Sequence, residues 1–299
     1  MAGHRVGLIG LGNMGGRIAR RIAAAGHEVL GHDLDPKAAP AAGVTPAATI
    51  AEAVRGADSV LMSLPDDAAV EAVVLGEGGV LDTVRAGQVV ADLGTSSPAR
   101  TARLHAVLAG RGVEYLDAGV SGGPAAADAG TLTIMAGGSP AALARLDGLF
   151  RAFAAKIFHL GGSGAGHTAK LLNNFLNATT LSATAEVMVA GRAAGLNPAT
   201  LLDVINASSG ASYASRHRFP AIIRGDYLEG GLTGALMMKD LVLYVDLLRT
   251  LGVPSLHAAG PMAGFGLAGR LGYGDRVSNR VVDALGDVAG GIRIQGEAS

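Results

Sequence analysis

The chain has 299 residues, 49% of them hydrophobic and 16% charged, with a formal net charge of −1 and no cysteine. That length holds two domains, and the apolar content excludes a disordered chain. The near-neutral charge, with no basic run, excludes a nucleic-acid partner, and the missing cysteines exclude disulfides, a thiol nucleophile and Cys-bound metal. Low charge and high alanine content leave apolar helix surface to be covered, which predicts a homodimer or homotetramer. The first strand begins by Arg5, leaving no room for a signal peptide, and no run of 18 apolar residues predicts a membrane span. A cytoplasmic protein is expected.

The N-terminal half alternates short apolar strands with helices. Arg5 to Gly10 reads as a buried strand, and Met14 to Ala25 as a helix closed by Gly26. Glu28 to His32 reads as a second strand ending in Asp33. Further strands are predicted at 59–64, 88–92, 114–118, 131–137 and 156–160, with helices near 47–56, 66–75 and 97–110. This alternation predicts a parallel, doubly wound sheet. After Gly161-Gly162-Ser163-Gly164 the pattern changes. Residues 165–194 keep helical spacing, Gly195 stops the run, and Asn197-Pro198 starts the next element. Helices are predicted at 198–207, 234–251, 254–268 and 277–291, while 207–232, rich in Ser, Gly and Arg, reads as a mobile connection. The fold class is therefore α/β. An N-terminal Rossmann-like domain (1–162) is joined by a long interdomain helix to an all-α C-terminal domain (163–299).

Gly10-Leu11-Gly12-Asn13-Met14-Gly15 matches G-x-G-x-x-G. With 46 glycines about one match arises by chance, and a second exists at Gly264-Phe265-Gly266-Leu267-Ala268-Gly269. The second follows a Pro-containing helical segment and reads as helix packing. The first follows a strand and opens a helix, so its N–H groups face a pyrophosphate at the positive end of the helix dipole. Asp33, ending the next strand, accepts hydrogen bonds from both ribose hydroxyls and repels a 2′-phosphate. No Arg follows it closely, and Lys37 is the one cation seen nearby. NAD is favoured over NADP. Leu64-Pro65 and Thr95 lie beyond later strands, where an open α/β sheet binds its ligands.

Four lysines, at 37, 156, 170 and 239, stand against twenty arginines. Arg does not give up its proton in a protein, whereas a desolvated Lys does. Lys170 is thus a candidate proton-transfer group, with Asn174 one turn on along the same helix face. His167, one turn before, reads as a solvated helix histidine. The eight histidines show no paired ligand spacing, so no metal is expected.

Four motifs in order tie these pieces together. They are Gly10 to Gly15, Asp117-Ala118-Gly119-Val120-Ser121-Gly122-Gly123-Pro124, Gly164-x-Gly166-x-x-x-Lys170-x-x-Asn173-Asn174, and Met238-Lys239-Asp240-Leu241. With them the chain resembles the β-hydroxyacid dehydrogenase family, especially members similar to 3-hydroxyisobutyrate dehydrogenase. The resemblance implies reversible, NAD-dependent oxidation of a 3-hydroxy acid to its semialdehyde. It makes Ser121, Gly122 and Gly123 the substrate-carboxylate loop, for which two glycines suit an anion nest. It makes Lys170 the catalytic lysine, Asn174 its substrate-orienting partner and Lys239 a lysine near the nicotinamide, whose charge would help depress the Lys170 pKa. Gly119 departs from the family, which often has proline there. The alternatives are an imine reductase-like enzyme on the same scaffold, against which Lys170 and Asp33 speak, and a catalytically silent dinucleotide-binding module.

Overall fold

The computed structural model describes residues 3–295; residues 1–2 and 296–299, the outer ends of the two expected domains, lie outside the described residues. The chain divides into two compact units, 1–170 and 171–299.

In the first unit the elements follow in order. They are β1 (Arg5–Ile9), α1 (Gly15–Ala24), β2 (Glu28–His32), α2 (Ala38–Ala42), β3 (Thr45–Pro46), α3 (Ile50–Arg55), β4 (Ser59–Met62), α4 (Asp67–Leu75), α5 (Val80–Thr83), β5 (Val89–Asp92), α6 (Pro98–Ala109), β6 (Glu114–Ser121), α7 (Gly123–Ala129), β7 (Leu132–Gly137), α8 (Pro140–Phe150) and β8 (Ala154–His159). The eight strands form one sheet in the order β3-β2-β1-β4-β5-β6-β7-β8. Every pairing is parallel except β6 with β7. The ten residues between β6 and β7 fall short of a parallel crossover, which takes a dozen or more.

Strand alternation builds two cores. Leu8, Leu61, Ala91 and Leu116 join Ile18 and Ile22 of α1 on one face. Ile9, Val60, Met62, Val90 and Tyr115 join Leu104 of α6 on the other. The strand order reverses between β1 and β4, the switch point where open α/β sheets bind ligands. The glycine loop lies at that point: a Cβ on Gly10 would come within 2.4 Å of the Ser63 carbonyl oxygen.

Helix α9 (Ala165–Ala193) begins in the first unit and continues into the second. The second unit adds α10 (Pro198–Ala207), α11 (Tyr213–His217), α12 (Phe219–Ile222), α13 (Gly234–Leu251), α14 (Ala259–Arg270), a short 3₁₀ turn (Ser278–Arg280) and α15 (Val281–Val288). Its core gathers Leu181, Met188, Phe219, Met237, Leu241 and Phe265.

The segment 207–232, expected to be a mobile connection, instead holds α11 and α12. Ser212 and Ser215 form a capping box at the start of α11, and Phe219 and Ile222 enter the core. The second G-x-G-x-x-G match lies inside α14, where a Cβ on Gly264 would meet the Ser182 hydroxyl at 2.6 Å. Among the described residues no helix is long and apolar enough to cross a membrane.

Candidate active site

The glycine loop is built by close approaches that exclude side chains. Gly10 has φ +88°, and a Cβ on Gly15 would sit 1.9 Å from the Gly10 carbonyl oxygen. Around Gly12 a Cβ would meet nothing within 4 Å. This open position faces a cleft of about 380 Å³ lined by Gly12, Asn13, Arg17, Arg20, Asp33 and Asp35, among others. An open backbone position beside a helix N-terminus and a ribose-reading acid is what a dinucleotide needs, so these residues fit NAD.

Asp33 ties the loop together. Its Oδ2 accepts the Leu11 N–H at 2.6 Å and its Oδ1 the Asp35 N–H at 2.9 Å. Each oxygen keeps a lone pair for a ribose hydroxyl. The expectation that Lys37 is the only cation near Asp33 needs correction. Arg17 and Arg20, one and two turns into α1, line the same cleft and both ion-pair with Asp128 of α7. Sequence distance hid them, because they lie on the preceding helix, α1.

Leu64 and Pro65 follow β4 and Thr95 follows β5, at the carboxyl edge of the sheet. The two loops are joined by Asp67, which accepts from the Ser96 hydroxyl and the Ser97 N–H.

Lys170 is positioned by a buried polar cluster. Asp117 of β6 is fully buried and accepts the N–H groups of Gly164 and His167, each at 2.9 Å. It thereby caps the first turn of α9 from a neighbouring strand, with its negative charge at the positive end of the helix dipole. Gly166 lets that turn touch the sheet, since a Cβ there would lie 2.3 Å from the Asp117 carbonyl oxygen. His167 is fully buried, not solvated as the sequence suggested. Its Nδ1 shares a hydrogen with Thr101 Oγ1 at 2.7 Å, and its Nε2 faces Asp92 at 3.8 Å. The correction has a physical cause: this turn of α9 packs between α6 and the sheet, so both of its faces are covered.

Asp117, Gly119 and Ser121 alternate onto one face of β6. The stem of Lys170 lies against Gly119, where a Cβ would be 3.1 Å from both Cβ and Cγ of the lysine. Two residues on, Ser121 ends the strand, and Gly122 and Gly123 follow with φ +132° and +71°. A Cβ on Gly122 would press to 2.7 Å from Ala126.

In the second unit Asn174 is buried and its Nδ2 donates to Asp240 Oδ2 at 2.5 Å. Lys239 Nζ lies 3.0 Å from the other oxygen, Asp240 Oδ1. Asp240, 3% exposed, is the residue that sequence reasoning quoted in a motif but gave no role. An acid directly after the motif lysine was the available signal. Among the described residues no group of three or more His, Asp or Glu is arranged to hold a metal ion.

Comparison with known proteins agrees with this construction. Residues 5–161 match the model described as the NAD binding domain of 6-phosphogluconate dehydrogenase. Residues 164–285 match that of the NAD-binding region of NADP-dependent 3-hydroxyisobutyrate dehydrogenase. The chain belongs to the β-hydroxyacid dehydrogenase family, on its 3-hydroxyisobutyrate dehydrogenase-like side. It is 36% identical over 253 residues to 2-(hydroxymethyl)glutarate dehydrogenase of Eubacterium barkeri, covering 84% of each chain. It is 39% identical over 249 residues to the NAD-dependent L-serine dehydrogenase of Pseudomonas aeruginosa, covering 80% of this chain and 83% of the relative. The solved structure of Mycobacterium tuberculosis 3-hydroxyisobutyrate dehydrogenase with L-serine superposes with a TM-score of 0.85 at 31% identity, over 95% of this chain and 99% of that one. The protein is an oxidoreductase acting on a CH–OH group, an NAD-dependent hydroxyacid dehydrogenase with an NAD-binding N-terminal domain.

Proposed function

We propose that the protein reversibly oxidises a short 3-hydroxy acid to its semialdehyde, with Lys170 as general acid/base. The observation that carries this reading is the seat of Lys170 on Gly119, two residues before Ser121 on the same strand face. Two strand residues span about 7 Å, which brings a carboxylate loop and a proton-transfer amine within reach of one small hydroxy acid.

In this reading the Ser121-Gly122-Gly123 loop holds the carboxylate. Neutral Lys170 takes the proton from the hydroxyl during oxidation and returns it during reduction. Asn174 spends one amide hydrogen on Asp240 and offers the other to the reacting oxygen. NAD, when bound, supplies the hydride acceptor at its nicotinamide C4. Gly10, Leu11, Gly12, Asn13, Met14, Gly15 and Asp33 form the cofactor set with Leu64, Pro65, Thr95 and Lys239, and Asp33 sets the preference for NAD over NADP. The functional division falls at 162–163, between the last strand and α9. Exposed Leu176, Val204 and Leu256 on the second unit support a homodimer or homotetramer, and the chain is read as cytoplasmic.

The test is NADH formation at alkaline pH over a panel of 3-hydroxy acids, with 2-hydroxy acids and NADP as controls. Turnover of the 3-hydroxy acids with NAD supports the reading. Tight NAD binding without turnover of any of them would overturn it.

A further inference from the structure

Arg218 is a half-buried cation with no acid beside it. Its Nη1 donates to Asn279 Oδ1 at 2.8 Å and its Nη2 to Asn177 Oδ1 at 2.9 Å. Among the described residues no carboxylate forms an ion pair with it. The contrast lies in the same unit, where Arg280 pairs with both Glu229 and Asp283. A desolvated guanidinium is costly unless a negative charge compensates it, and burial lowers the Arg218 pKa.

The two asparagines are turned so that their oxygens serve Arg218. Asn279 then spends its own amide N–H on the Tyr227 carbonyl, at 2.8 Å. The Asn177 amide nitrogen meets no acceptor among the described residues, and neither does Arg218 Nε. Donors from both side chains are therefore left on one partly exposed patch. Asn177 is three residues after Asn174 on α9, a neighbour on the same helix face one turn along.

We propose that Arg218 and the Asn177 amide recognise a second carboxylate, carried on the tail of the hydroxy acid, so that the preferred substrate is a short hydroxy dicarboxylate. This rests on the hydroxy-acid reading and deepens it. The reacting oxygen meets Asn174, and the tail runs one turn along α9 to Asn177 and Arg218. The second carboxylate supplies the counter-charge that Arg218 lacks, and the planar guanidinium with an adjacent amide suits its two oxygens.

The experiment compares 2-(hydroxymethyl)glutarate with 2-(hydroxymethyl)pentanoate, which has the same skeleton without the second carboxylate. The wild-type enzyme should favour the diacid at least about tenfold in kcat/KM, mostly through KM. Arg218→Gln should bring the ratio near one while leaving turnover of the monoacid in place. Asn177→Asp puts an internal carboxylate beside Arg218. It should hold or raise the melting temperature and still abolish the diacid preference, a combination that damage to the fold does not produce. A wild-type ratio at or below one overturns the proposal, as does a preference that survives both substitutions. Turnover of the monoacid without preference refutes the Arg218 site alone. Turnover of no 3-hydroxy acid at all refutes the hydroxy-acid reading beneath it.

Discussion

The stem of Lys170 lies on Gly119, with a would-be Cβ 3.1 Å from its Cβ and Cγ and equally close to the Gly94 carbonyl oxygen. A side chain at 119 must therefore push the lysine stem outward by a few tenths of an ångström. Gly119→Ala should lower kcat about tenfold while leaving NADH affinity unchanged, because misplacement of a reacting group acts on the chemical step. Steady-state kinetics with a fluorescence titration of NADH separates the two. An unchanged kcat would mean that the stem does not set the position of the amine.

Asp117 accepts two N–H groups of the α9 first turn without exposure to water. Asp117→Ala strands both donors. A loss of about 3 kcal/mol is expected, or roughly 6–12 °C in melting temperature. A melt within a degree of wild type would show that the turn holds without its cap.

Much of this arrangement was legible in the sequence, and the exceptions are instructive. The glycine loop, β1, β2 and the extent of α9 follow from local signals, namely a strand ending in glycine and an uninterrupted helical period closed by Gly195. Short elements such as α2, α5 and α7 escaped because four to seven residues carry too little periodicity to register. The antiparallel turn into β7 was readable in principle from the brevity of its connection. The burial of His167 was not. Helical spacing tells which residues share a face, but whether α6 packs on that face is a tertiary fact. Arg17 and Arg20 near Asp33, and the Asn174–Asp240 bond, are hidden for the same reason.

The Asn174–Asp240 bond leads to a third expectation. Asp240→Ala leaves the Asn174 amide without this acceptor and removes one ion-pair partner of Lys239. The kcat/KM for the hydroxy acid should fall about 10- to 100-fold, with NADH affinity little changed. If Asp240→Ala instead abolishes NADH binding and spares turnover at saturating cofactor, the carboxylate serves the cofactor and not Asn174.

Asp33, proposed to accept from the ribose hydroxyls, holds the Leu11 amide. Asp33→Arg removes the charge that opposes a 2′-phosphate and adds a cation to a cleft already lined by Arg17 and Arg20. The ratio of kcat/KM for NADP to that for NAD should rise at least about tenfold, even as absolute affinity drops through the lost Leu11 contact. A fixed ratio would remove Asp33 from the cofactor-selecting set.

The most direct measurement is turnover by Lys170→Ala alongside its affinity for NADH. The account predicts that kcat falls by about 10²–10⁴-fold, that NADH binds as in the wild type, and that added methylamine restores part of the lost rate. Full turnover by Lys170→Ala would contradict the central claim, because the proton would then move without Lys170.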